Sequence, residues 1–268
     1  MSIKFGLIGG GVMGEALLSR LIAKNIYAAD VVLVSEPASE RRNSLQQKYG
    51  VQVTADNQQA AKATDVLLLA VKPQILDAVA ESLSTDNVNH ACLIISVLAG
   101  TPLNRLEAVF PEKPVIRAMP NTPATVGAGI SAIASGKQVN QKHLEQAKTI
   151  FGAVGEVVEV PEYLMDAVTG LSGSGPAYVA LMIEALTDGG VAAGLPRAIA
   201  SKLALQTVRG TAQLLQESEI HPAQLKDRVT SPGGTTIAGV TQLERGGFRA
   251  AVIDAVQAAY RRSQDLGS

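Results

Sequence analysis

Residues 1–15 read MSIKFGLIGGGVMGE, and this stretch decides the fold. Apolar residues at 3–8 favour a short β-strand, and the spacing Gly9-x-Gly11-x-x-Gly14 follows at once. Behind the glycines, apolar residues recur at helical spacing. A strand that leads into a helix through G-x-G-x-x-G is the fingerprint of a dinucleotide-binding site. The opening segment therefore predicts that the chain binds a dinucleotide.

Each glycine has its own predicted task. Gly9 permits the tight turn, Gly11 lets the backbone approach a pyrophosphate, and Gly14 lets helix and strand pack closely. Free N–H groups at the helix start, with the positive end of the helix dipole, then face the phosphates. Glu36 directly follows the second predicted strand, about 20 residues beyond the glycines, where a carboxylate can bind ribose hydroxyls. A solvated carboxylate without a ligand is the alternative for Glu36.

The composition excludes several classes of function. With 23 basic and 24 acidic residues among 268, the net charge of −1 gives no general attraction to nucleic acid or anionic lipid. The single cysteine, Cys92, forms no internal disulfide and suits a reducing cytosol. The three histidines lack ligand spacing, so no metal site is predicted. Without a signal peptide or membrane span in the sequence, we expect a cytoplasmic protein.

Further apolar runs predict the rest of a sheet. The run 66–71 is continuous, which is typical of a strand buried on both faces of a parallel sheet, and 93–97 and 115–119 repeat the pattern. Each run stops at a polar or proline-containing loop, and ligands of open α/β sheets bind outside those carboxyl ends. Shorter strands are predicted at 31–34, 51–54, 130–134 and 156–160, with a helix at 141–151.

The strand signal ends near residue 164, and the remainder is predicted to be helical. The helices Pro176–Gly194 and Pro196–Gln216 are apolar on more than one face and poor in charge. Helices of this kind need a partner, so we infer a second copy of the chain. The sequence therefore predicts an α/β fold with an N-terminal Rossmann dinucleotide-binding domain at 1–161. An all-helical dimerisation and substrate domain is predicted at 162–268.

Two glycine-rich loops in the helical half are candidate anion sites. GLSGSGPAY at 170–178 can cradle an anion or allow close backbone packing, and the residues alone leave both readings open. TSPGGTT at 230–236 is the sharper signal, because two glycines leave N–H groups unencumbered and two threonines open a helix. Hydroxyls and N–H groups at a helix start suit a small carboxylate, although an ordinary Ser/Thr cap is the alternative.

Taken together, these motifs resemble those of the pyrroline-5-carboxylate reductase family. The resemblance rests on GLIGGG at 6–11, AVKPQ at 70–74, RAMPNTP at 117–123, AVTGLSGSGPAY at 167–178 and HPAQLKDRVTSPGGTT at 221–236. It implies reduction of L-1-pyrroline-5-carboxylate to L-proline, the last step of proline biosynthesis, with NADPH or NADH. It also implies a homodimer interlocked through the helical domain, with higher oligomers known among relatives.

The resemblance implies site residues position by position. The implied cofactor contacts are Ile8, Gly9, Gly10, Gly11, Val12, Met13, Gly14, Ser35, Glu36, Asn57, Ala70, Val71, Lys72, Pro73, Val97, Leu98 and Ala99. The implied substrate contacts are Glu162, Val229, Ser231, Gly233, Gly234, Thr235 and Thr236. Two positions depart from relatives. Glu36 stands where some relatives have a serine that reaches the 2′-phosphate of NADPH, which leaves cofactor choice open, and Arg228 stands where some have asparagine.

The implied chemistry agrees with the residue inventory. Hydride transfer to a C=N carbon requires mainly that two bound molecules be positioned. A cyclic imine is basic enough to arrive protonated, so a hydroxyl at the ring nitrogen suffices, and Thr236 is the candidate catalytic residue. One alternative is a β-hydroxyacid dehydrogenase of the 6-phosphogluconate type, but its catalytic lysine would fall on Val179. The other is a non-catalytic dinucleotide-binding sensor whose helical half is a dimer platform.

Overall fold

The computed structural model describes residues 2–83 and 88–267. The chain divides into two compact units. Unit 1 contains the chain up to Ser174 and the segment from Ala258 onward, and unit 2 is Gly175–Gln257.

Unit 1 is built around one sheet. Its strands are β1 (Phe5–Ile8), β2 (Val32–Ser35), β3 (Gln52–Thr54), β4 (Val66–Leu69), β5 (Leu93–Ser96), β6 (Val115–Met119), β7 (Gly129–Ser135) and β8 (Gly155–Glu159). Their order in the sheet is β3-β2-β1-β4-β5-β6-β7-β8. All neighbours pair in parallel except β6 and β7, which are antiparallel.

Helices connect and follow these strands. In unit 1 they are α1 (Val12–Ala23), α2 (Ser39–Tyr49), α3 (Asn57–Ala60), α4 (Leu76–Ser82), α5 (Leu103–Val109), α6 (Gln141–Gly152) and α7 (Met165–Val168). The later helices are α8 (Gly175–Ala192), α9 (Arg197–Ser218), α10 (Pro222–Arg228), α11 (Thr235–Arg245) and α12 (Phe248–Gly267). The last part of α12, from Ala258, belongs to unit 1.

The continuous apolar runs form buried strands, as predicted. Every residue of β1, β4 and β5 is buried. Side chains alternate between the two faces of a strand, and β4 shows the consequence. Leu68 packs into one hydrophobic cluster, while Leu67 and Leu69 pack into the other. Both faces of the sheet are therefore covered, which is the environment that such runs require.

The direction of β7 follows from the length of its connection to β6. The intervening residues 120–128 include a 3₁₀-helical turn, Thr122–Val126. A parallel crossover needs about a dozen residues or more, so this connection returns the chain antiparallel. The predicted Ile130–Ala134 strand is confirmed, and its antiparallel pairing is a feature that the apolar pattern alone does not predict.

Unit 2 buries few large side chains. Helices α8 and α9 approach closely at small residues, because a Cβ on Gly190 would lie 3.0 Å from the Cβ of Ala200. The buried side chains in these two helices are Thr187, Ala200 and Ala204. The large apolar side chains that remain exposed include Leu181, Leu186, Ile199, Leu203, Leu205 and Leu214. Both predicted long helices are confirmed, and within residues 2–83 and 88–267 these large apolar side chains stay exposed.

Across residues 2–83 and 88–267, none of the helices has the length and apolarity needed to cross a membrane.

Candidate functional site

A cavity of about 350 Å³ opens at the carboxyl edge of the sheet, where β1 lies between β2 and β4. The connections reverse direction at this point of the strand order, and open α/β sheets bind ligands at such a switch point. The lining residues are Ile8, Gly9, Gly11, Ser35, Glu36, Pro37, Ala55, Asn57, Ala70, Val71, Lys72, Ile75 and Val79.

Most of these lining residues coincide with the predicted cofactor contacts. Among the predicted residues outside this cavity, Val12 lines a neighbouring cavity with Glu15, and Pro73 and Ala99 line a further one. The lining residues that sequence reasoning missed are Pro37, Ala55, Ile75 and Val79. Ile75 and Val79 stand four residues apart, so one helical face presents both, and that spacing was the available signal.

The glycines have the geometry that a dinucleotide loop needs. Gly9 has a left-handed φ of 101°. A Cβ on Gly14 would lie 2.2 Å from the carbonyl oxygen of Gly9, so the helix packs against the loop as predicted. A Cβ on Gly11 would meet nothing within 4 Å, so this backbone lies open beside the cavity. The residues present therefore fit a dinucleotide.

The start of α1 offers unused hydrogen-bond donors. Within residues 2–83 and 88–267, the N–H groups of Val12, Met13 and Gly14 have no recorded acceptor. The N–H of Gly10 is not free, because it donates to Glu36 Oε2 at 3.0 Å. Three free donors on one helix start form a site for an anion.

Glu36, Arg41 and Arg42, on the segment from β2 into α2, are each held by hydrogen bonds. Glu36 Oε1 accepts a second hydrogen bond, from the N–H of Ala38 at 3.0 Å. Arg41 Nε donates to the carbonyl oxygen of Gly10 at 2.7 Å, and Arg41 also pairs with Glu15. Arg42 Nη1 donates to the carbonyl oxygens of Glu36 and Pro37. The Glu36 carboxylate is therefore held at the cavity wall, and both arginines are engaged with other groups.

Glu15, on the first turn of α1, is the centre of an ionic network. Its carboxylate accepts hydrogen bonds from Arg41, from Lys48 at 2.9 Å and from the Tyr49 hydroxyl at 2.7 Å. Burial opposes ionisation of this carboxyl, but the bonds from Tyr49, Lys48 and Arg41 outweigh it and lower its pKa to about 2. Through Arg41, this network supports the carbonyl of Gly10 in the glycine loop.

The Glu15 network makes a prediction about acid stability. We expect Glu15→Gln to lower the free energy of unfolding by about 1–2 kcal/mol at neutral pH, because bonds to a partly exposed ion are weakened by solvent. Because the pKa of Glu15 is lowered from 4.5 to about 2, the stabilisation that its carboxylate gives the folded state is complete above pH 4.5. This stabilisation is lost as the pH falls towards 2.

Urea titrations of wild type and variant across this range measure the difference. The difference in the free energy of unfolding between the two proteins should stay constant down to pH 4.5 and decrease towards zero below it. Glu40→Gln, at an exposed position of α2, is the matched control and should change stability little. A difference that persists near the lowest pH would mean that the Glu15 charge is not its source.

The TSPGGTT segment in unit 2 forms a turn that leads into α11. Gly234 N–H donates to the Ser231 carbonyl at 3.0 Å, and Gly233 has a left-handed φ of 68°. Thr235 and Thr236 open α11 as predicted, and both are exposed. No partner for either threonine hydroxyl is recorded in the part of the chain that the structure describes. The N–H of Gly234 is engaged, which removes it from the predicted set of free donors.

Glu162 lies in unit 1, beside α7. Its Oε1 accepts a hydrogen bond from the N–H of Leu103 and stands 3.5 Å from Arg117 Nη1. The remaining predicted substrate residues, Val229 to Thr236, lie in unit 2, where Val229 is exposed. Arg228 ends α10 at an exposed position.

The GLSGSGPAY segment begins as a π-helical turn, Thr169–Gly173. Asn121 Nδ2 donates to the Ser172 carbonyl at 3.1 Å, and a Cβ on Gly173 would lie 2.6 Å from Met119 Cε. These contacts support the close-packing reading of this loop at Ser172 and Gly173. Val179 is 43% exposed on α8 and offers no acid or base.

The reversed strand order, the glycine loop and the free N–H groups define a Rossmann-type dinucleotide-binding protein. A family profile described as pyrroline-5-carboxylate reductase dimerisation matches residues 162–266, and one described as NADP oxidoreductase coenzyme F420-dependent matches residues 4–100. The chain is 66% identical to the pyrroline-5-carboxylate reductase of Synechocystis sp., over all of this chain and 99% of that protein. The chain belongs to the pyrroline-5-carboxylate reductase family.

Other relatives extend over the same length. The pyrroline-5-carboxylate reductase of Arabidopsis thaliana is 44% identical, over 99% of this chain and 96% of that protein. The crystal structure of the Plasmodium falciparum enzyme with NADP bound superposes with a TM-score of 0.90 at 35% identity, covering 99% of this chain and 98% of that one. The Coxiella burnetii enzyme gives the same TM-score and identity, with 100% of both chains covered.

Proposed function

We propose that this chain reduces L-1-pyrroline-5-carboxylate to L-proline by holding the substrate and NAD(P)H together. Membership of the family makes it an NAD(P)H-dependent oxidoreductase of proline biosynthesis. The dinucleotide cavity between β1, β2 and β4, in a chain that aligns end to end with such reductases, carries the proposal. When bound, the nicotinamide supplies a hydride to the C=N carbon. Neither the 6-phosphogluconate-type dehydrogenase nor the sensor is favoured.

We assign the dinucleotide to the carboxyl edge of the sheet. The free N–H groups of Val12, Met13 and Gly14 bind the pyrophosphate, and the open backbone at Gly11 admits it. The Glu36 carboxylate accepts hydrogen bonds from the adenosine ribose. The loop that follows β5, with Val97, Leu98 and Ala99, borders the nicotinamide.

The same contacts favour NADH over NADPH in this chain. Two backbone N–H groups hold the Glu36 carboxylate, so it cannot move away from a 2′-phosphate without losing both bonds. Arg41 and Arg42, the cations that could offset its charge, are bonded to other groups. A ribose diol, in contrast, donates to a carboxylate at no electrostatic cost. We therefore propose that NADH is used at least measurably.

The turn before α11 binds the substrate carboxylate. The N–H groups of Gly233 and Thr235 serve as donors, and the engaged N–H of Gly234 does not. The Thr236 hydroxyl meets the ring nitrogen of an imine that arrives protonated. Glu162, in unit 1, stays a proposed substrate contact on the family resemblance alone, and among the described residues one of its carboxylate oxygens has no recorded partner.

We propose that a homodimer is the smallest active form. The exposed apolar faces of α8 and α9 support this, because monomers rarely expose apolar patches above several hundred Å². Light scattering after size exclusion should therefore give at least the mass of a dimer at micromolar concentration. Leu205→Glu, which places a charge on a 57% exposed apolar position of α9, should weaken assembly, whereas Gln206→Glu should not. A stable wild-type monomer would contradict the proposal.

The domain boundary and the cellular location are also proposals. We place the boundary between the dinucleotide domain and the dimerisation domain at 161/162, which the dimerisation profile beginning at residue 162 supports. The compact units of the structure divide after Ser174 instead, with the end of α12 returning to unit 1. We also propose a cytoplasmic location, which the single free and buried Cys92 supports.

A further inference from the structure

Arg117 is a buried cation that the reaction chemistry does not use. It stands in β6 and is 5% exposed. Its Nη1 lies 3.5 Å from Glu162 Oε1, and its Nη2 lies 3.5 Å from Asp166 Oδ1. A buried charge is costly unless it is paired, so the guanidinium and both carboxylates fix one another.

Each of the two carboxylates also holds a further element. Glu162 accepts the N–H of Leu103, the first residue of α5. Asp166 Oδ1 accepts a hydrogen bond of 2.8 Å from the hydroxyl of Ser263, which is 3% exposed near the end of α12. Arg117 is thereby linked to the start of α5 and to the end of α12.

The end of α12 packs directly on the loop of residues 97–102, between β5 and α5. Gly100 has a left-handed φ of 71°, and a Cβ on it would lie 3.2 Å from the Cβ of Leu266. A Cβ on Gly267 would lie 2.6 Å from the carbonyl oxygen of Gly100. Helix end and loop therefore touch through their backbones, and no methyl group fits between them.

This loop stands at the edge of the sheet where the dinucleotide binds. It follows β5, the neighbour of β4, and the residues after β4 line the dinucleotide cavity. Because a dinucleotide extends across the switch point along this edge, the loop borders the part remote from the adenosine. The Arg117 network contacts this part of the chain at two places. Through Glu162 it holds Leu103, the residue that follows the loop, and through Asp166 and Ser263 it holds the end of α12 that packs on Gly100.

We propose that the end of α12, fixed by Arg117 through Asp166 and Ser263, sets the position of loop 97–102 and with it the affinity for the nicotinamide cofactor. The inference rests on the proposed function in taking this loop as the nicotinamide border. Arg117 and Ser263 are positioning residues, since they act on the cofactor through the loop.

Fluorescence titration with NADH in the absence of substrate tests the proposal. Ser263→Ala removes the bond to Asp166, and Gly267→Ala presses a methyl group against Gly100 while favouring the helix itself. Each should raise the Kd for NADH by about three- to tenfold, the scale of the net contribution of one ordinary hydrogen bond. With saturating NADH, kcat and the KM for pyrroline-5-carboxylate should change by less than about twofold.

Arg262→Ala is the matched control on the same helix, because its side chain is 69% exposed and it should bind NADH like wild type. Wild-type Kd values in folded Ser263→Ala and Gly267→Ala would overturn the proposal, as would an equal loss in the control. Arg117→Lys, which keeps the charge, should bind NADH more tightly than Arg117→Met, and the reverse order would contradict the inference. A wild type that binds NADH but does not oxidise it with pyrroline-5-carboxylate would refute the proposed function alone.

Discussion

Thr236→Ala should lower kcat by about tenfold to a hundredfold, with the fold and cofactor binding intact. The Thr236 hydroxyl is exposed at the start of α11 and is proposed to meet the ring nitrogen of the substrate. That contact changes as the iminium becomes an amine, so its loss acts on kcat rather than on KM. One hydrogen bond to a charged group is worth about 1–3 kcal/mol, which corresponds to this range of rates.

Two variants sharpen the measurement. Thr236→Ser keeps the hydroxyl and should be nearly normal. Thr241→Ala is a matched control on the same helix, because the Thr241 hydroxyl donates to the Ile237 carbonyl at 2.8 Å and faces no proposed ligand. If Thr236→Ala keeps the wild-type kcat in steady-state assays, Thr236 has no part in the chemistry. Water or backbone would then have to meet the ring nitrogen.

Glu36→Ser should raise the NADPH/NADH ratio of kcat/KM by about tenfold to a hundredfold. Two unit charges about 5 Å apart repel by about 3 kcal/mol at an effective dielectric constant of about 20, and solvent reduces this further. Removing the carboxylate removes that repulsion from the 2′-phosphate of NADPH and also the bond to the ribose of NADH. Both changes move the ratio in the same direction.

The ratio is the informative quantity, because Glu36→Ser also loses the bond to the Gly10 N–H and should weaken both cofactors. Glu40→Ser makes the same charge change at an exposed position of the adjoining helix and should leave the ratio near the wild-type value. An unchanged ratio in Glu36→Ser would show that this carboxylate does not approach the ribose.

The centre of the sheet could be predicted from the sequence because β1, β4 and β5 are buried throughout. Continuous apolar runs such as 66–71 have few alternatives in a chain of this composition, and β4 lies within that run. The glycine spacing likewise predicts a definite backbone, since only glycine tolerates the contacts found at Gly9 and Gly14. The sequence pattern predicts the structure at these positions because one requirement decides each of them: burial for the strands, and room for the backbone at the glycines.

The hydrogen bonds of the side chains around the glycine loop at 9–14 could not be predicted in the same way. The sequence places Glu36, Arg41 and Arg42 near the adenosine side, but it does not say which partner each one takes. The structure bonds Glu36 to Gly10 and Ala38, and it directs Arg41 to Glu15. These choices depend on distances between elements far apart in the chain, which periodicity does not contain.

The ion pairs of Arg117 could not be predicted from the sequence for a related reason. Arg117 stands in the run 115–119, which is predicted to be a buried strand, and arginine is rarely buried unless it is paired. Its two carboxylate partners lie about 45 to 49 residues later, and Ser263 lies near the end of the chain. A buried charge is explained only when its partners are found, and the fold brings them together.

The most direct test of the central claim is the oxidation of NADH and NADPH by the purified protein when L-1-pyrroline-5-carboxylate is added, with amino-acid analysis of the product. We expect the absorbance of the reduced nicotinamide to fall only when substrate is present, with L-proline formed in equimolar amount. The contradicting result is a folded, NADH-binding protein that oxidises neither cofactor with this substrate.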